Sequence, residues 1–394
     1  MIKIGTRHNL LYPLSFSILN GIRKVDLIIM NKYFNFSGST LLSLIMFFSD
    51  FIGGLIIYLD QMKYLKEKEV TKYMGIELIQ ASSEMSPADN NAKMIILLIF
   101  LSYLDFAENI LSSYYIPDKF KKVSKSLEWR LKSIIICISG ILCFFSLKIP
   151  LFKHQIISII IILICLLITI LTEMIEYYNE YNQEKGLIYI IYVLFLLVIN
   201  QAFISGFDVI EKYFLEFNFI NPFKLLMLEG IFGFVMTLLF CIHEDPFEQM
   251  KIINKKTPEK IKGLIIFLFV LFLLSCGRNI YRITTNKLYS PTTKALTDYI
   301  FVPLLIIYYF IFENDFTVKN KKIYYYFIIN LIISFIIVIC GLIYNEFLIV
   351  FCYNLEYDTH YEVSKRAKKY NRKHLNYLVM KVIMIQFLVK KIKD

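Results

Sequence analysis

The sequence predicts an all-α membrane protein of about ten transmembrane helices in two inverted five-helix repeats. Three observations lead there. Hydrophobic residues make up 57% of the 394 residues, only 19% are charged, and the mean hydropathy is +0.58. Soluble domains hold roughly half apolar and a quarter charged residues, so this chain is one that lipid must solvate. Apolar runs recur from Leu10 to Val350 with no polar tract between them long enough to fold by itself. Finally, the wording of the first half returns in the second.

Superposing Lys32-Tyr33-Phe34 on Lys212-Tyr213-Phe214 also brings Asn20 onto Asn200, each inside the apolar segment that ends in the shared tripeptide. Glu108-Asn109-Ile110, in the third apolar segment, is echoed by Arg278-Asn279-Ile280 in the eighth. Five spans per copy is an odd number, so the second copy lies inverted in the bilayer relative to the first.

Residues 1–9 are a short cytosolic N-terminus carrying Lys3 and Arg7; the apolar segment behind them lacks a small-residue cleavage site and reads as a first span. A hydrocarbon core of about 30 Å takes roughly 20 helical residues. Segments of that kind fall near 10–31, 39–59, 93–115, 126–147 and 154–173, the first repeat (10–173), and near 187–209, 221–242, 262–283, 291–311 and 323–350, the second (187–350). Met174 to Gly186, rich in Glu, Tyr, Asn and Gln, is the solvated linker between them.

Residues 351–394 form a basic cytosolic tail, in which Leu375 to Val389 suits an amphipathic helix lying on the membrane surface. The tail's Lys and Arg set orientation by the positive-inside tendency, and an even span count puts both ends on the cytosolic side. Lys119, Lys121, Lys122 and Lys125 run against that scheme, because it places them on the far side.

In a membrane protein the net charge of +11 belongs to loops, so nucleic acid is excluded as a partner. The seven cysteines show no Cys-x-x-Cys spacing and read as small apolar fillers. His243-Glu244-Asp245 and Asp358 to Glu362 have metal-like composition without ligand spacing, so no metal or other cofactor is expected. Asn35-Phe36-Ser37 fits the glycosylation pattern, but the second span would crowd a glycan.

Ionisable groups within apolar spans carry the functional information, since each costs several kcal/mol unless it meets a partner or a wet cavity. They are Arg23, Lys24 and Asp26, then Asp105 and Glu108, Arg130 and Lys132, Asp208, Arg278 and Arg282, Lys287, and Lys294 with Asp298. Snorkelling to headgroups or structural ion pairs would account for some of them. The candidate substrate-binding set is Asn20, Lys24, Glu108, Asn109, Arg130, Lys132, Asn200, Arg278, Asn279, Arg282, Lys294 and Asp298. In that reading Asn20 and Asn200 bond cargo or each other, Lys294 and Arg278 hold its anionic groups, and Glu108 pairs with Arg278 when the site is empty. Lys294 and Asp298, at i and i+4, could alternatively neutralise each other.

The Asn31-Lys32-Tyr33-Phe34 opening and its second copy, Glu229-Gly230-Ile231-Phe232-Gly233-Phe234, and Thr292-Thr293-Lys294 followed by Asp298 resemble the drug/metabolite transporter superfamily. Within it they look closest to a little-characterised branch of the solute carrier family 35 and triose-phosphate translocator group, the nucleotide-sugar-transporter-like and EamA-like proteins. The resemblance implies ten helices, cytosolic ends, exchange of nucleotide sugars or phosphorylated metabolites across an endomembrane, and a cavity lined by the fourth and ninth helices. Here those helices would bring Arg130, Lys132 and Lys294. The chain lacks F-Y-N-N, G-A-L-N-K and, within its apolar spans, the adjacent Lys-Arg pair of sugar-phosphate carriers, so a guanosine-linked sugar or a triose phosphate is not the cargo it specifies.

The expectation is therefore a secondary transporter, not an enzyme, whose partners are the bilayer and a small polar, anionic substrate, assembled as a homodimer. A polytopic glycosyl or acyl transferase would need a polar catalytic loop, and the longest loop offers Glu77, Glu84 and Asp89 but no histidine. A scaffold or receptor without transport is the other alternative.

Overall fold

The computed structural model describes residues 2–4, 11–34, 36, 40–67, 90–112, 125–181, 184–218, 220–242, 245–312, 321–351, 355–357, 359 and 362–363. The basic tail from 364, most of the long loop after α2, the lysines at 119, 121 and 122, and Asn35 and Ser37 lie outside them.

The described chain is almost entirely helical: α1 (Leu11–Phe34), α2 (Thr40–Glu67), α3 (Asn90–Ile110), α4 (Lys125–Leu131), α5 (Ile134–Ser146), α6 (Lys153–Tyr181), α7 (Glu184–Glu216), α8 (Pro222–Phe240), α9 (Glu248–Lys256), α10 (Pro258–Leu288), α11 (Pro291–Tyr299), α12 (Val302–Phe312) and α13 (Lys321–Tyr344). Among the described residues, seven segments are long and apolar enough to cross a membrane: in α2, across α4 and α5, and in α6, α7, α8, α10 and α13. The sequence suggested ten. The remainder depart for visible reasons: α1 carries Arg23, Lys24 and Asp26 close together, α3 carries Asp105 and Glu108, and the ninth stretch is split.

Polarity is inside out relative to a soluble protein. On α6, Ile160, Ile164, Leu167 and Leu171 are each at least half exposed, whereas Gln201, Ser205, Asp208 and Glu211 of α7 are fully buried. A lipid solvent rewards that arrangement and water would not. The protein is an integral membrane protein.

Two of the expected spans are broken. Between α4 and α5 the chain tightens into i→i+3 bonds, Lys132 N–H to Trp129 C=O at 3.2 Å and Ile135 N–H to Lys132 C=O at 3.1 Å, which releases Lys132 from the helical ladder. Between α11 and α12, Pro303 has no N–H to offer the carbonyl of Tyr299 four residues back, so the ladder fails at Ile300 and Phe301. Ser290 caps α11 by accepting from Thr293 N–H at 3.1 Å, with Pro291 at the first position, and Asn221 caps α8 in the same manner. All nine residues of α11 are buried, although five of them are Thr, Lys or Asp.

Helix α2 packs on α8, α1 on α10, α3 on α7 and α8, α2 on α10, α5 on α7 and α11, α1 on α11, and α6 on α13. Direct backbone contact between α2 and α8 comes from Gly54 and Gly230: a Cβ on Gly230 would run into the backbone of Phe51 and Phe47, and one on Gly54 into that of Met227 and Phe223. Small residues that let helices touch are the usual means of association in lipid, where apolar burial supplies no drive.

Two details differ from the sequence reading. The last span ends at Tyr344, and Leu348–Val350 instead pairs antiparallel with Ile2–Ile4, which brings the two ends of the helical body to one side. The segment read as a solvated linker is helical on both sides of 182–183, because its Glu and Tyr residues continue α6 and begin α7.

Candidate functional site

A cavity of about 250 Å³ lies within the helical body, walled by α1, α2, α3, the α4–α5 break, α7, α10 and α11. It reaches Ser112 and Glu128, at the end of α3 and within α4, so it extends toward the side on which α1 ends and α2 begins. A second cavity, of about 330 Å³, lies at the opposite end of the helices, among Tyr289, Ser290, Thr292, Asn345 and Gln155.

Buried ion pairs stand at the inner end of the first cavity. Lys294 Nζ donates to both carboxylate oxygens of Asp208, at 2.7 and 2.9 Å. Arg282 holds two carboxylates at 3.0 Å each, Glu211 through Nη1 and Glu229 through Nη2, and its guanidinium lies 4.7 Å from the Phe207 ring centroid. Asn286 ties this group to the backbone, donating to Asp208 C=O at 2.9 Å and to Glu211 at 2.5 Å. Beyond them, Lys212 Nζ donates to the carbonyls of Asn286, Lys287 and Tyr289 at 2.9, 3.0 and 2.8 Å, closing the C-terminal end of α10. A cation there meets the negative end of the helix dipole.

Four cations lining the cavity, Arg23, Lys24, Lys132 and Arg278, have no ion-pair partner among the described residues. Lys24 is only 9% exposed. Arg23 leans on Met46 Sδ at 3.4 Å, and Arg278 donates to Asn279 Oδ1 at 2.7 Å with its guanidinium 5.6 Å from the Phe16 ring centroid. The carboxylates of the same cavity are Asp50, Asp105, Glu108, Glu128 and Asp298. Asn279 donates to Asp50, Asn109 to Asp105 at 3.1 Å, and Asn20 to Asp298 at 2.5 Å.

Ten of the twelve residues singled out from sequence line this one cavity: Asn20, Lys24, Glu108, Asn109, Lys132, Arg278, Asn279, Arg282, Lys294 and Asp298. Two do not. Arg130 turns away to Glu173, 2.5 Å distant, as expected for a residue two positions from Lys132, since i and i+2 lie on nearly opposite sides of a helical turn. Asn200 is buried outside the cavity and does not bond Asn20, whose amide N–H is given to Asp298.

Pairings differ as well. Lys294 takes Asp208 rather than its helical neighbour Asp298. Glu108 and Arg278 both line the cavity but form no ion pair with each other. Sequence reasoning passed over Asp50, Glu211 and Glu229, yet each is a carboxylate inside an apolar run, the signal that found Asp105 and Asp208.

Of the metal-like stretch His243-Glu244-Asp245, only Asp245 is described. It accepts from Lys251 Nζ and from Phe247 N–H at 2.9 Å, and these bonds hold its carboxyl below the usual range, as in a solvated helix entry.

No protein-family model matches this chain, and no curated protein is significantly similar to it.

Proposed function

We propose that this protein is a secondary transporter that moves a small polar, anionic metabolite across an endomembrane by alternating access, with ten spans in two inverted repeats. The observation that carries this reading is the central cavity: Arg23, Lys24, Lys132 and Arg278 enter it from α1, the α4–α5 break and α10 without ionic partners, while buried ion pairs block its inner end. A cation at bilayer depth is costly. An anionic cargo would offset that cost, and Arg and Lys are its natural ligands.

The helix packing supports the repeat. Exchanging the halves turns the α1–α10 contact into α7–α3, α2–α10 into α8–α3, α4–α7 into α11–α1, and α5–α11 into α12–α4; α2–α8 and α6–α13 map onto themselves. The breaks after Leu131 and Tyr299 fall in corresponding spans. Discontinuous helices beside a midplane cavity are the recurring design of rocking transporters. The second cavity lies on the far side of the ion pairs, where the path would emerge when the halves rock.

Volume narrows the cargo. At about 250 Å³ the cavity is smaller than the roughly 300–1,000 Å³ typical of drug-sized ligands, which favours a small phosphorylated or carboxylated metabolite over a nucleotide sugar. The test is exchange in proteoliposomes, each preloaded with one of a panel of nucleotide sugars, sugar phosphates and small carboxylates and assayed for trans-stimulated uptake of the same labelled compound. At least one member should be trans-stimulated, and Lys24→Ala and Lys132→Ala should lose that uptake. Absence of trans-stimulation across nucleotide sugars, sugar phosphates and carboxylates would end the reading.

A further inference from the structure

Asp26 is a buried acid that neither cavity uses. It is 5% exposed, its Oδ2 has no hydrogen-bond partner, and no cation lies within ion-pair distance of it among the described residues. It stands well inside α1, which ends at Phe34, about 12 Å further along the axis at roughly 1.5 Å per residue. So short a side chain cannot snorkel over that distance to the membrane surface.

Its surroundings are apolar. Leu19 lies against Gly277 and Phe34 against Gly263, so α1 and α10 run antiparallel, and Asp26 is level with the stretch of α10 between those two glycines. It follows Leu19 by two helical turns and precedes Met30 by one, which puts it on the face of α1 that meets α10, where Met30 packs with Leu264, Leu268 and Leu271. From Leu264 to Cys276 that helix carries no Asp, Glu, Lys, Arg, His or Tyr, and the Cys276 thiol donates to Ser49 C=O at 3.4 Å. Arg278, the next charge along α10, turns to Asn279 and Phe16. On α11, which meets α1 through Ser17 and Asn20, Lys294 goes to Asp208 and Asp298 to Asn20. On α1 itself Arg23 leans on Met46 and Lys24 lines the cavity.

Packing alone does not call for an acid at this place. In the register that superposes Lys32 on Lys212, Asp26 falls on Gly206, and there the corresponding α7–α3 contact is made by a glycine against Leu104. An ionised carboxylate without a partner at this depth costs several kcal/mol, and the neutral acid far less.

We propose, resting on the transport reading above, that Asp26 couples cargo movement to a proton, binding one and releasing one in every cycle. Helix α1 belongs to the first half and α10 to the second, so rocking of the halves works directly on the contact that buries this side chain. While the contact is closed the side chain is the neutral acid. When it opens to water, the carboxyl O–H bond breaks, the proton leaves on a water molecule, and a solvated carboxylate remains. The contact closes again only after water returns a proton to that carboxylate. Release and uptake on opposite sides of the membrane carry the proton across.

The experiment uses proteoliposomes of the full-length protein and the nucleotide sugar, sugar phosphate or carboxylate that shows trans-stimulated exchange. With the membrane potential clamped, a gradient of about one pH unit should drive roughly tenfold accumulation of that compound in one gradient direction, the ratio expected for one proton per cargo. A sodium gradient at equal pH should drive none. Asp26→Asn, which keeps the shape of the neutral acid, should abolish the pH-driven accumulation while trans-stimulated exchange continues, and Asp26→Glu should keep both. Asp26→Leu gives the same reading should Asp26→Asn fail to fold. Wild-type exchange that ignores the pH gradient, or accumulation that persists in the Asn and Leu variants, overturns the coupling role alone. Absence of exchange for every compound of the panel ends the transport reading and this inference with it.

Discussion

Lys294 in α11 and Asp208 in α7 form a two-pronged ion pair, 2.7 and 2.9 Å, with Asp208 wholly buried. The pair joins helices from different parts of the second half and stands between the two cavities. Lys294 is consequently part of the frame as well as of the cavity wall. Lys294→Ala strands a buried carboxylate, for which the expected loss is about 3–5 kcal/mol. Thermal denaturation in detergent should show a clear fall in Tm, and the double variant Lys294→Met/Asp208→Leu should recover most of it. If Lys294→Ala keeps its Tm, the pair is not structural.

Lys212 and Glu216 allow a sharper comparison, since one ammonium serves two kinds of partner. It closes three carbonyls at the end of α10 and also pairs with Glu216 at 2.7 Å, but the Glu216 side chain is 45% exposed. Glu216→Gln should change stability by no more than about 1 kcal/mol, as exposed pairs do. Lys212→Met should cost several times that, because it leaves buried carbonyls without donors. Chemical denaturation of the two variants side by side checks the ratio.

Gly230 sets the distance between α2 and α8. Gly230→Ala places a methyl against the backbone of Phe51, which no side-chain rotation can relieve. Overpacking of this kind costs about 1–3 kcal/mol, and the helices would part enough to disturb the adjacent Glu229, which holds Arg282. Reduced Tm is the expected outcome, together with reduced exchange activity if the protein transports as proposed. Gly206→Ala, which meets only the flexible tip of Leu104, is the control that should be nearly silent.

Lys24 should behave in the opposite manner to Lys294. Having no ion-pair partner among the described residues, it sets repulsion from Lys132, Arg23 and Arg278 against attraction to Asp298, so it adds little to the packing of the helices. Lys24→Ala should therefore leave Tm unchanged or raised while anion affinity falls by about 1.5–3 kcal/mol, the worth of a hydrogen bond to a charged group. Titration with phosphate and a melting curve on the same sample decide it; a variant that melts lower but binds normally contradicts this assignment.

The sequence by itself determined the solvent and most of the cavity. Apolar runs of bilayer length dictate helices in lipid, because only there does each segment satisfy its own backbone, and a charge inside such a run must turn inward. That reasoning was enough to pick out Lys24, Glu108, Lys132, Arg278, Arg282, Lys294 and Asp298, all of which line one cavity. Partner choice was decided only by tertiary structure. Helical spacing offers Asp298 to Lys294, yet α7 delivers Asp208 instead; Arg130 and Lys132, two residues apart, face nearly opposite sides by periodicity alone, but that Glu173 meets Arg130 is set by α4 packing on α6. Periodicity tells a residue which way to face along its own helix. Which charge waits on the other side depends on how helices distant in sequence cross, and here that is set by contacts such as Gly54 and Gly230 lying against the opposite backbone.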